Sequence, residues 1–95
     1  MILVVATVRV HPDRVEDYAA ACRDMMPRLQ AANPGILFYH AGRSRDEEAT
    51  FRVIEAYADR EAMERHIGSD MLKASFAGMR DYIADIDIRV HDAIV

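Results

Sequence analysis

Residues 33–57, NPGILFYHAGRSRDEEATFRVIEAY, decide the fold of this 95-residue chain. Asn33-Pro34-Gly35 ends the helix before it, because proline cannot continue a helical hydrogen-bond ladder and glycine accepts the turn. Ile36 to Ala41 then reads as a strand, Gly42 to Ala49 as a charged, flexible connection, and Thr50 to Ala58 as a second strand. The two strands are expected to pair as a hairpin.

Working outward, each side of this hairpin carries one strand and helical signals. Ile2 to Val10 is rich in β-branched residues and reads as a strand with two largely apolar faces. Its alternating sets are Ile2, Val4, Ala6, Val8, Val10 and Leu3, Val5, Thr7, Arg9. Pro12 and Asp13 suit the first turn of a helix, by fixed φ and by charge against the positive helix end. Val15, Tyr18, Ala19, Cys22, Met25, Met26 and Leu29 follow at three- and four-residue intervals as one core-facing stripe. Pro27 should kink the last turns. Beyond the hairpin, Asp59 caps a short helix holding Ala62, Met63 and His66, and Ser69 caps a second segment with Leu72, Phe76, Met79 and Ile83 on one stripe. Ile86 to Val95 alternates Ile86, Ile88, Val90 against Asp87, Arg89, His91 and reads as the last strand. The order β-α-β-β-α-β predicts an α+β, ferredoxin-like antiparallel sheet with helices on one face, in a single domain spanning residues 1–95.

Composition narrows the class. Apolar residues make up 52% and charged residues 29%, which is too apolar for a disordered chain. No apolar run approaches the roughly 20 residues of a membrane helix, so no membrane partner is expected. Twelve basic against sixteen acidic side chains leave −4, a poor match for nucleic acid. MILVVATVRV has no basic leader and carries Arg9 inside its apolar run, which predicts no signal peptide and a cytoplasmic location. Two helices can cover only one face of four strands. The open face, expected to carry half of the strands' apolar side chains, predicts a homodimer with sheets packed face to face.

Candidate chemistry is sparse. His11, His40, His66 and His91 lack the short paired spacing of metal sites, and no metal is expected. Cys22 sits on the helical stripe as a small buried hydrophobe. Glu55 shares a strand face with Phe51, Val53 and Tyr57, where a carboxylate is costly and its pKa rises. It is either a general base or a structural acceptor for His66, for the neighbours of Arg52 or for backbone amides near Asp59. His66, four residues after Ala62, lies on or beside the core-facing stripe and is either a proton acceptor or a satisfied core residue. Tyr39 and His40 lie on opposite strand faces, and one of them should line the space beneath the helices. Arg9 reads either as an anchor for an anionic substrate or as a solvated strand end. Phe76, Met79 and the other methionines are core by default, yet flexible thioethers also suit a pocket for a flat aromatic ligand.

The element order, Asn33-Pro34-Gly35-Ile36-Leu37-Phe38-Tyr39, Phe51-x-Val53-x-Glu55-x-Tyr57 and Asp59-x-Glu61-Ala62-x-x-x-His66-x-x-Ser69 together resemble the antibiotic biosynthesis monooxygenase family across nearly the whole chain. The resemblance implies a dimeric α+β barrel and similarity to small quinol monooxygenases that work without flavin, metal or haem. Haem-degrading relatives ligate iron through a histidine where this chain has Phe76, and there is no Trp, so haem degradation is disfavoured. Tyr57 stands where many members carry Trp. The expected function is therefore a cofactor-independent monooxygenase acting with dioxygen on a quinol or polycyclic phenol. His66 and Glu55 are the expected catalytic residues, and Tyr39, His40, Tyr57, Phe76 and Met79 the expected contacts to substrate. A non-catalytic ligand-binding dimer and a cofactor-free isomerase or tautomerase are the alternatives.

Overall fold

The computed structural model describes residues 1–95. The elements are β1 (Ile2–Val10), α1 (Val15–Ala32), β2 (Ile36–Arg43), β3 (Thr50–Tyr57), α2 (Arg60–Ile67), α3 (Asp70–Met79) and β4 (Ile83–Asp92), with single 3-10 turns at Pro12–Arg14 and Arg80–Tyr82. The sheet order is β2-β3-β1-β4 and every neighbouring pair is antiparallel. This is the ferredoxin-like α+β plan expected from the central hairpin.

The core lies between one sheet face and the helices. Val4, Ala6, Val8 and Val10 of β1 meet Tyr18, Cys22, Met25, Met26 and Leu29 of α1, and all are buried. Burying each large aliphatic or thioether side chain is worth about 1.5–3 kcal/mol, so this stripe holds α1 in place. Cys22 is free and buried, the core filler its position on the stripe suggested. α1 runs unbroken through Pro27 to Ala32.

The last strand starts earlier than its alternation suggested. α3 ends at Met79, and the amide of His11 donates to the carbonyl of Tyr82 at 2.9 Å, tying the chain to the end of β1. Ile83, expected on the helical stripe, therefore already pairs with Val10. The strand also stops at Asp92, leaving Ile94 and Val95 exposed.

The two sheet faces differ from the simple expectation as well. On β4, Ile86, Ile88 and Val90 pair with Val8, Ala6 and Val4 and so face the helix side. Asp85, Asp87, Arg89 and His91 occupy the open face instead. The apolar part of the open face is thus confined to β1, β2 and β3, where Leu3, Phe38 (46% exposed) and Ile54 (47%) stand in solvent. The helices stop short of β4, so Ile88 remains 57% exposed on the covered side.

One close approach sets where α2 lands. The Asn33 side chain donates to the carbonyl of Ala62 at 3.0 Å and accepts from the amide of Gly35 at 3.1 Å. Ala62 is fully buried, and a Cβ added at Gly35 would collide with its Cβ. Only glycine lets β2 begin this close to α2. Gly35→Ala should therefore destabilise the fold by ~1–3 kcal/mol through overpacking, read as a lower midpoint in urea denaturation. An unchanged midpoint would mean that α2 can slide without cost.

Candidate functional site

Strand alternation carries Phe51, Val53, Glu55 and Tyr57 to the helix side of β3. The register sets Glu55 between Val4 of β1 and Tyr39 of β2. Above it lies α2, whose first turn is capped by Asp59 accepting from the Ala62 amide at 2.8 Å. The Asn33 contact fixes that same turn, and His66 follows one helical turn after Ala62 on the inward face. Helix stop, cap and close packing together thus set the height of one imidazole above one carboxylate.

His66 Nε2 stands 3.6 Å from Glu55 Oε1, outside hydrogen-bond length but within strong Coulombic reach in a dry setting. Only 4% of His66 and 9% of Glu55 is exposed. The Tyr57 hydroxyl donates a short hydrogen bond to Glu55 Oε1. The Tyr39 ring meets His66 edge-on at 5.2 Å, and the Tyr57 ring lies 5.9 Å from it.

Burial decides the electrostatics. It pushes the Glu55 carboxyl above its ordinary value, against the opposing pull of the Tyr57 hydrogen bond. It lowers His66 below the usual imidazole value. It raises both tyrosines, with the Glu55 charge adding to each. Desolvation therefore favours the uncharged form of every member, despite the short carboxylate–imidazole distance. At neutral pH His66 is a neutral imidazole able to take a proton, and the tyrosines are hydroxyl donors.

These groups open onto a cavity of about 430 Å³ bounded mainly by apolar side chains. Of the expected site residues, Glu55, His66, Tyr39, Tyr57, Phe76 and Met79 all line it. His40 does not. It pairs with Ile54 on the opposite sheet face, is exposed, and stacks on Phe38 at 4.6 Å. The expectation that His40 holds substrate here is corrected by strand alternation: Tyr39, opposite Glu55, takes the inner face. Arg9 also lies elsewhere, ion-paired with Glu47 and Asp85 at 3.6 and 3.5 Å, which is the solvated strand-end reading. Lining residues that alternation had not singled out for the cavity include Tyr18, Lys73 and Arg80, together with Ile86, Ile88 and Val90 of β4. Asn33 was legible only as part of a helix stop, although Asn-Pro-Gly also positions α2. No group of three or more His, Cys, Asp or Glu side chains is arranged to hold a metal ion.

The fold and site define a ferredoxin-like α+β domain with a buried acid–imidazole pair facing an apolar cavity. The family model described as antibiotic biosynthesis monooxygenase matches residues 1–78, and the chain belongs to that family. A structure from Caulobacter crescentus CB15, provisionally assigned as an antibiotic biosynthesis monooxygenase, is 35% identical, with a TM-score of 0.94 over 99% of this chain and 90% of that one. A Nitrosomonas europaea structure with the same provisional assignment is 19% identical, at TM-score 0.90 over the whole of both chains. A conserved protein from Methanosarcina mazei Go1 is 21% identical, at TM-score 0.86 over 95% of this chain and 89% of that one. At such identities the last two speak for the fold alone. No curated protein matches the chain.

The shifts carry opposite signs in stability. Folded Glu55 holds its proton more tightly than in the unfolded chain, so its ionisation costs stability as pH rises above the ordinary carboxylate range. His66 resists protonation when folded, so its contribution is present above the ordinary imidazole value of 6.5 and is lost as pH falls through it. Glu55→Gln should thus raise the thermal midpoint near neutral pH, with the curves of variant and parent converging below about pH 4, where carboxyls are protonated. Equal midpoints across pH would show that the Glu55 carboxylate carries no burial penalty.

Proposed function

We propose that this chain is a cofactor-independent monooxygenase that oxidises a quinol or polycyclic phenol with dioxygen. Family membership supports monooxygenase-type chemistry. The observation that carries the reading is the Glu55–His66 pair, buried, held by Tyr57 and facing a cavity otherwise suited to a flat apolar ring. A cavity of this size falls within the range of small-molecule sites.

His66 is the base. Its neutral imidazole takes a proton from the phenol or from an adjacent ring carbon, and the Glu55 carboxyl, with Oε1 3.6 Å from Nε2, accepts from the imidazolium that forms. The electron-rich anion passes one electron to dioxygen. The substrate radical and superoxide then combine into a carbon–oxygen bond. His66 returns its proton to the resulting peroxide, the O–O bond breaks, and water leaves with the second ring hydrogen, so that carbon becomes a carbonyl. The substrate supplies both electrons: one oxygen atom enters the product and the other departs as water. Tyr39, held protonated, donates to a substrate oxygen, Tyr57, whose proton is given to Glu55, offers its hydroxyl oxygen as an acceptor, and the apolar walls keep water from the radical pair.

Oxygen-electrode measurements with menadiol or a dihydroxyanthracene test this. One dioxygen should be consumed per substrate, and His66→Ala should lower kcat by about a hundred- to ten-thousand-fold, the usual weight of a positioned base. kcat/KM should rise with pH through an acid limb lying below the ordinary imidazole value, because burial lowers His66. Turnover without oxygen uptake would make the pair an isomerase's acid and base, and ligand binding without turnover would leave a binding module.

The same proposal includes a homodimer in the cytoplasm. Leu3, Phe38 and Ile54 on the open sheet face and the uncovered Ile86, Ile88 and Val90 leave more apolar surface than a monomer readily exposes. The lone, unpaired cysteine suits a reducing compartment. Static light scattering at micromolar concentration should return twice the chain mass, and a monomer there would remove the dimer.

A further inference from the structure

The cavity has a second polar feature that the proposed chemistry leaves unused. Besides Glu55 and His66, its charged lining residues are Lys73 and Arg80. Both are exposed, so they stand where the cavity meets solvent. Lys73 is the chain's single lysine. Arg80, at the end of α3, keeps helical dihedrals, so Lys73, Phe76 and Arg80 follow one another at three- and four-residue steps along one helix face. Phe76, which lines the cavity, is therefore flanked along the helix by two cations.

Neither cation is consumed by a protein partner. Seven other arginines are engaged by carboxylates within 4 Å. Asp70 and Asp81 are near Lys73 and Arg80 in sequence, yet neither closes an ion pair with them. In a chain of net charge −4, two unpaired cations on the border of an apolar cavity are a local reversal of sign. Low-dielectric walls beside such charges focus their field and draw anions in.

We propose that the cavity selects aromatic substrates bearing an anionic substituent, a carboxylate or sulfonate, which Lys73 and Arg80 hold at the solvent border while the ring lies against Phe76. This rests on the cavity being the substrate site of the function proposed above. The reacting ring then enters with its phenolic end toward His66 and its charged end outward, so the two cations set orientation as well as affinity. A purely structural role, in which Arg80 complements the C-terminal end of α3 and Lys73 only solvates the helix surface, would leave ligand preference untouched.

Calorimetric titration of the full chain with two binding probes tests the assignment. One is naphthol; the other is a hydroxynaphthoate with its carboxylate on the ring distal to the hydroxyl. The carboxylated probe should bind about three- to tenfold more tightly at low ionic strength, as expected for two partly exposed charge contacts. That preference should shrink toward unity in 1 M salt, where the Debye length is about 3 Å. The double variant Lys73→Gln, Arg80→Gln changes only exposed side chains and should keep naphthol binding while losing the preference. Lys73→Arg in the parent background should retain it. A preference that survives in the double variant, or its absence in the parent while naphthol binds, overturns the assignment and leaves the cavity as the substrate site. Failure of both probes to bind the parent protein removes the reading of the cavity itself, and this inference with it.

Discussion

A carboxylate on an apolar strand face makes the strongest demand in this molecule. Stripping Glu55 of water costs several kcal/mol unless other groups take the place of the solvent. Tyr57 supplies a hydrogen bond from two residues along the same strand, and His66 supplies a ring from a helix that must be held at one height. The height comes from Asn33, whose side chain grips the first turn of α2, and from Gly35, whose missing side chain lets that turn settle. The peptide that ends α1 therefore also positions the imidazole. Helix termination and site construction are one device in this chain.

The same burial determines what the site is suited to do. Desolvation pushes Glu55 up and His66 down, so the resting pair leans toward uncharged forms. In the proposed reaction, moving a proton onto His66 creates charge in a setting already lined with a carboxyl and two phenolic hydroxyls, with little reorganisation left to make. Around this group the walls are mainly apolar, and the cations stand only at the solvent border. The polar side chains of the cavity are thus divided between a buried cluster of Glu55, His66 and tyrosine side chains and two exposed cations.

The cavity itself follows from an imbalance in the layers. The helices cover β2, β3 and β1 but not the inner face of β4, whose Ile86, Ile88 and Val90 stay partly in solvent. A helix packed over that edge would fill the void and leave a better core with no room for a ligand. Close packing elsewhere, from Val4, Ala6, Val8 and the α1 stripe, keeps the opening from collapsing. Structures only 19% and 21% identical share the fold, which asks for alternation and helical periodicity rather than for particular residues.

Much of this was legible before any tertiary contact was known. Alternation on β1 and β3, the stripe from Val15 to Leu29, and the caps at Asp59 and Ser69 are local properties, and they sufficed for the element order and for Glu55 and Tyr57 sharing a face. The early start of β4 was not legible, because the turn at Arg80–Tyr82 is held by a hydrogen bond to His11, on the far side of the chain. Tyr39 and His40 were equivalent for the same kind of reason. Period-two alternation states that they face opposite ways, and only the pairing of Tyr39 with Glu55 says which way is inward. The meeting of Glu55 with His66, and of Lys73 and Arg80 with the same cavity, likewise required the fold. Sequence by itself determined which side chains share a face; tertiary structure decided which faces meet, because contacts between distant segments depend on register and helix placement that no local period encodes.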